Sequence, residues 1–184
     1  APPIVGVSHD LGVELLESDA TVWLAVDASS QTRETWNLIA EPRQGGDEGV
    51  VVIGAHLDGA AEGPAINDNG TGVAAVLEVA RQIADAPDLQ TRLRFAFWGA
   101  EEAGLDGSWH YVEELSAHDP GALNEIVGYL NFDMVGSPNP VIGVYDADES
   151  SYDAPTEPPI GSAALEAVLT DHFDRLEQPW VDQE

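Results

Sequence analysis

Val50-Val51-Val52-Ile53-Gly54-Ala55-His56-Leu57-Asp58 is the stretch on which the fold turns. Residues 50–55 form a continuous apolar run, the pattern of a strand covered on both faces. A histidine and an aspartate then follow directly, where the strand should end. Downstream, the spacing of Val73, Val76, Leu77, Ala80 and Ile83 predicts a helix over 72–85. Leu93 to Trp98 reads as the next buried strand and Ser108 to Leu115 as a shorter helix. Ile126 to Phe132 reads as a third strand, and Val141 to Tyr145 as a fourth. Residues 146–160 are acidic and Pro-rich, hence a loop. Ser162 is expected to cap a last helix with Leu165, Val168, Leu169, Phe173 and Leu176 on one face. Strands alternating with helices imply an α/β fold: a mainly parallel mixed sheet with helices on both faces.

Upstream, Trp36 to Ala40 reads as a strand ended by Pro42 and the Gly45-Gly46 turn. Residues 28–35 are polar and loop-like. Residues 4–27 look like a small unit of their own. Ile4 to Val7 and Thr21 to Val26 alternate as strands, and Asp10 to Glu17 has helical spacing with Leu11, Leu15 and Leu16 on one face.

The chain has 184 residues, in the usual range of roughly 100–200 for one domain. It has 34 Asp plus Glu against six basic residues, all Arg, for a formal net charge of −28. Such a surface repels phosphate backbones and excludes nucleic acid as a partner. Self-repulsion on this scale destabilises a compact state at low salt, and points to a salt-adapted, halophilic source. No run of about 18 uncharged apolar residues exists, so no membrane-spanning helix is expected. There is no cysteine, which rules out disulfides and thiolate metal sites. The chain opens Ala1-Pro2-Pro3 without Met or a signal segment, so an upstream piece is expected to precede it.

Four stretches carry chemistry. His56 alone would read as a core histidine. Asp58, two positions on in an extended segment, points the same way and can sit close to it. Asp58 can therefore orient His56 or lie near bound water. Asp68 lies in Asn67-Asp68-Asn69-Gly70, either a plain turn and cap or a carboxylate whose two oxygens bridge two metals. Glu101-Glu102 follows the core run Phe95-Ala96-Phe97-Trp98. One of the pair can bind metal while the other holds water as general base. Asp133 follows the Gly128 to Phe132 strand and reads equally as a turn aspartate or a ligand. Open α/β sheets place their chemistry outside the carboxyl ends of the strands, which is where these residues gather. One imidazole among several carboxylates suits Zn²⁺, with Mn²⁺ or Co²⁺ as alternatives. The excess of carboxylates favours two metals about 3.5–4 Å apart, and hydrolysis of an amide by activated water.

These motifs, with Arg94-Phe95-Ala96-Phe97-Trp98-Gly99-Ala100-Glu101-Glu102 and Asn131-Phe132-Asp133-Met134-Val135-Gly136-Ser137, resemble the co-catalytic di-zinc aminopeptidases, metallopeptidase family twenty-eight. The resemblance covers roughly residues 36–180 and implies a zinc-exopeptidase-like fold. It implies that His56 and Asp133 bind one zinc and that Asp68 bridges both, with the peptide bond to Asn69 often cis. It further implies Glu102 on the second zinc, Glu101 as general base and Asp58 supporting His56. The implied substrates are peptides with a free N-terminus, and the implied location is extracellular. Residues 1–27 resemble the tail of a protease-associated domain, leaving 28–184 as the N-terminal part of the catalytic domain.

The family's second zinc takes a further His from a late segment beyond a point like Glu184. His9, His110, His118 and His172 match no family motif. The chain therefore reads as an internal fragment, incomplete at both ends and weakly active or inactive alone. A minor departure is Ala103, where Leu is usual. Two alternatives stand beside the aminopeptidase: a glutaminyl-cyclase-like enzyme of the same fold, and a non-catalytic receptor-like relative without metals.

Overall fold

The computed structural model describes residues 4–19, 21–43, 45–84 and 89–183. Two compact units divide between Glu34 and Thr35. In the first, helix α1 (His9–Glu17) is started by Ser8, whose hydroxyl accepts the Leu11 N–H. The expected strands at 4–7 and 21–26 have no regular secondary structure and lie outside any sheet. Alternation supplies the face of a strand but not its partner, and none of the described residues of this unit pairs in a ladder. Its apolar side chains stay exposed, with Leu16 at 89% and Trp23 at 86%.

The second unit is built on a four-stranded sheet in the order β1-β3-β2-β4. Its strands are β1 (Leu38–Ala40), β2 (Val50–His56), β3 (Arg92–Trp98) and β4 (Ile126–Asn131). β2 pairs parallel with β3 and with β4, while β1 runs antiparallel on the far side of β3. The expected mixed, mainly parallel sheet is thus present. Side chains alternate across it. Ile53, Ala55, Phe95 and Phe97 pack on one face with Val73, Val76, Ala80 and Ile83 of α2 (Gly72–Ile83). Val50, Val52, Ala96 and Trp98 face the other way, against Tyr111 of α3 (Asp106–His118). Both faces are covered, which is why β2 and β3 read as unbroken apolar runs. The apolar stripe of α2 is narrower than its sequence suggests: Leu77 is 58% exposed. The far end of that expected helix, Asp85, lies outside the described residues.

Gly54 shows how tightly β2 is held. A Cβ there would stand 2.7 Å from both Trp98 Nε1 and Tyr129 Oη, which are themselves hydrogen bonded.

Three elements depart from the sequence reading. A short helix α4 (Pro120–Asn124) precedes β4, capped by Asp119, whose carboxylate accepts the Ala122 N–H. The expected fourth strand is β5 (Gly143–Tyr145). It lies outside the main sheet and pairs parallel with β6 (Val181–Gln183) in a sheet of two. Helix α5 (Ser162–Arg175) has Gly161 at its N-cap, so Ser162 is its first residue rather than its cap. Val168 and Leu176, expected on its buried face, are exposed.

Candidate metal centre

Strand register brings the site together. His56 ends β2 opposite Trp98 of β3, and Gly54 lies opposite Asn131 of β4. Both neighbours are parallel to β2, so their C-terminal ends open on one edge. Glu101 follows Trp98 by one short turn, and Asp133 follows Asn131 by two residues. Asp68 comes from an irregular turn, Ile66–Thr71, that leads into α2. The Asp68–Asn69 peptide bond is cis, as the resemblance implies. Ala100 (φ 56°) and Met134 (φ 51°), each beside a carboxylate of the site, adopt left-handed backbone. That conformation costs a residue with a Cβ roughly 1–2 kcal/mol.

His56 is 3% exposed. Its Nδ1 donates to the Asp58 main-chain carbonyl (3.0 Å), which leaves the Nε2 lone pair facing the carboxylates. Nε2 lies 3.0 Å from Asp68 Oδ1, 3.4 Å from Asp133 Oδ2 and 3.8 Å from Glu101 Oε2. Ligand atoms of His56, Asp68 and Asp133 all lie within 4.8 Å of one another. Glu102 stands outside that group, with its side chain exposed.

Asp58 does more than the sequence suggested. Its link to His56 runs through the main chain; its carboxylate is 3.6 Å from Nδ1. That carboxylate instead accepts the amide N–H of Glu101 (2.9 Å) and of Glu102 (3.1 Å). One aspartate therefore fixes both the imidazole and the turn that carries the glutamate pair.

The charges are crowded. Burial pulls the His56 pKa down, but Asp133, Glu101, Asp58 and Asp68 around it more than offset this and raise it. Burial pushes Glu101 up, which His56 opposes and Glu102, Asp133 and Asp58 reinforce. Burial likewise raises Asp133, with His56 opposing and Asp68 adding to the rise. A bound cation would relieve this repulsion and reverse the local protonation balance.

The donor set fits zinc. Zn–N and Zn–O bonds of about 2.0–2.2 Å at tetrahedral angles place neighbouring ligand atoms about 3.3–3.5 Å apart. The His56–Asp133 separation matches, and the His56–Asp68 separation is slightly tighter. The described residues hold a second acidic group, Asp146, Glu166 and Asp182. There, Asp146 accepts the amides of Ser150, Ser151 and Tyr152, and Glu166 accepts those of Ala147 and Asp148. These carboxylates tie down the acidic loop that the sequence showed only as acidic and Pro-rich.

Asn69 was also missed as anything beyond turn chemistry. It is 1% exposed and bonded to both neighbouring segments. The only signal in the sequence was its place in Asn-Asp-Asn-Gly.

Known proteins resemble this chain over most of its length. It is 48% identical over 170 residues to a probable lipoprotein aminopeptidase of Mycobacterium tuberculosis, covering 91% of this chain and 33% of that protein. It is 45% identical over 172 residues to an aminopeptidase of Pseudomonas aeruginosa, covering 93% and 31%. The chain thus spans about a third of the length of these curated relatives. A solved zinc aminopeptidase from Bacillus subtilis superposes with a TM-score of 0.61 at 27% identity, covering 79% of this chain and 33% of that one. The model of Peptidase family M28 matches residues 37–178, the span that carries the four-stranded sheet, its covering helices and the carboxylates gathered around His56, and the chain belongs to that family.

Proposed function

We propose that this chain forms part of a zinc-dependent aminopeptidase that removes N-terminal residues from peptides. The observation that carries the reading is the edge of the sheet where His56 Nε2 faces Asp68, Asp133 and Glu101 at 3.0, 3.4 and 3.8 Å. The relatives' names support the reaction class.

His56, Asp68 and Asp133 would hold one zinc. Asp68 would share a second with Glu102, with Mn²⁺ or Co²⁺ as alternatives. Bound zinc supplies Lewis acidity, which lowers the pKa of water and polarises a carbonyl. Glu101 Oε2, 3.8 Å from His56 Nε2, would act as general base, taking a proton from the attacking water and returning it to the departing amine. His56 is held in the ligating tautomer by the Asp58 carbonyl, and Asp58 steadies Glu101 through the main chain.

Residues 1–27 are proposed as the tail of a protease-associated domain, with 28–184 contributing to the catalytic domain. A secreted or envelope location is supported by the lipoprotein relative. No helix among the described residues is long and apolar enough to cross a membrane. A halophilic habitat is supported by the −28 charge. The test is made on the intact zinc-loaded protein with a chromogenic aminoacyl amide. Glu101→Gln should keep its zinc and lose about 10²–10⁴-fold in kcat. Equal turnover by wild type and Glu101→Gln would overturn the assignment.

A further inference from the structure

Two of the metal-centre carboxylates come from segments far apart in sequence. Asp68 stands on the turn before α2, and Asp133 on the loop after β4. Neither lies within a strand, so the sheet alone does not fix the distance between them. Asn69 lies between these segments with 1% of its surface exposed. Its Nδ2 donates to the carbonyl of Phe132 (3.0 Å), the residue just before Asp133. Its Oδ1 accepts the N–H of Met134 (3.3 Å), the residue just after Asp133. The same oxygen accepts the N–H of Gly72 (3.0 Å) at the start of α2. The anchor is firm, because Phe132 N–H donates to the Gly54 carbonyl of β2 (2.9 Å), two residues before His56. The space is also closed: a Cβ at residue 72 would collide with Asn69 Oδ1 and with the Phe132 carbonyl. A second link, Asn67 Nδ2 to Ser137 Oγ (3.0 Å), joins the same segments farther from Asp133.

We propose that Asn69 is a positioning residue that clamps the backbone on both sides of Asp133 to the turn bearing Asp68, and so sets the spacing of two carboxylates for a divalent cation. The proposal rests on the metal-binding reading of His56, Asp68 and Asp133. An amide suits this role. Its donor and acceptor are separate atoms, so Nδ2 reaches the Phe132 carbonyl while Oδ1 accepts the Met134 and Gly72 N–H groups; an ionised carboxylate has no donor, and a hydroxyl has only one atom with which to span the gap. Residues that orient metal ligands commonly matter about 10–100-fold in metal affinity.

Two roles must be separated. The bond from Gly72 N–H to Asn69 Oδ1 has the i to i+3 pattern of a helix cap, which serine also makes. Asn69→Ser keeps that cap and is too short to reach both Phe132 and Met134. Asn69→Ala loses all three bonds. The experiment measures zinc affinity of the 184-residue chain by competition with a chromophoric chelator in molar KCl, alongside thermal unfolding of the metal-free protein. The absorption spectrum of the Co²⁺ form reports ligand geometry. The expected result is that both variants bind zinc about 10–100-fold more weakly and show an altered Co²⁺ spectrum. Asn69→Ser should do so while still unfolding cooperatively, with a midpoint above that of Asn69→Ala because it keeps the cap. If Asn69→Ala fails to fold, the serine variant decides alone. Wild-type affinity and an unchanged Co²⁺ spectrum in Asn69→Ser would reduce Asn69 to a helix cap and overturn the proposal. Absence of zinc binding in wild type itself would remove the metal reading, and the proposal with it.

Discussion

Asp58 offers the sharpest graded perturbation of the site. Its carboxylate accepts two amide N–H groups, from Glu101 at 2.9 Å and Glu102 at 3.1 Å. A hydrogen bond to a charged group contributes about 1.5–3 kcal/mol net. The Asp58 side chain is 29% exposed, so the lower end applies. Asp58→Asn keeps one acceptor oxygen and turns an NH₂ donor towards the other amide. It should lose about 1.5 kcal/mol, close to tenfold in affinity for the zinc that Glu102 would share with Asp68. Asp58→Ala loses both bonds, and about 3 kcal/mol corresponds to more than a hundredfold. His56 keeps its tautomer in both variants, because its Nδ1 partner is the main-chain carbonyl of residue 58. The assay is zinc competition against a chelator at fixed pH, with unfolding followed in parallel. The expected order is wild type, then asparagine, then alanine, in falling affinity. Equal affinity in all three proteins would show that the glutamate turn needs no such anchor, and would refute the reasoning.

Three further outcomes are expected. Phe95→Ala, at a residue 2% exposed between the sheet and α2, should cost about 3–5 kcal/mol in chemical denaturation; a loss below 1 kcal/mol would mean that the core is not closed there. Burial raises the Asp146 pKa, but the amides of Ser151, Tyr152 and Ser150 more than offset it and hold the carboxyl below its ordinary value. Its contribution is therefore fully present above the unfolded value of about 3.9 and is lost as pH falls through the lower folded value. Asp146→Asn should flatten the acid limb of the stability curve relative to wild type, and an identical pH profile for both would contradict this. With a net charge of −28, the unfolding midpoint should rise from dilute buffer to molar KCl, and a midpoint indifferent to salt would count against a halophilic origin.

The sheet and much of the site were legible because their signals are local. A strand buried on both faces must be apolar throughout, so 50–55 and 93–98 announced themselves. A histidine or acid just past such a run then falls at the sheet's carboxyl edge without further information. What stayed hidden depends on partners remote in sequence. Whether the alternation at 4–7 and 21–26 makes strands depends on a ladder that no local pattern reports. The pairing of β5 with β6 joins residues separated by the whole of α5, and β6 is only three residues long. The i, i+2 spacing placed Asp58 beside His56 correctly. It could not show that the carboxylate would turn to the amides of Glu101 and Glu102 instead. Asn69 carried only the look of a turn residue, because its bonds to Phe132 and Met134 exist only once β4 lies beside β2.

The central claim is that His56, Asp68 and Asp133 together hold a divalent metal. The most direct measurement is zinc content by elemental analysis, on wild type and His56→Ala purified in high salt and equilibrated with trace zinc. The account expects about one tightly held zinc per wild-type chain, from three protein ligands with water completing the site, and none in His56→Ala. Wild type without zinc, or a His56→Ala variant that retains it, would contradict the account.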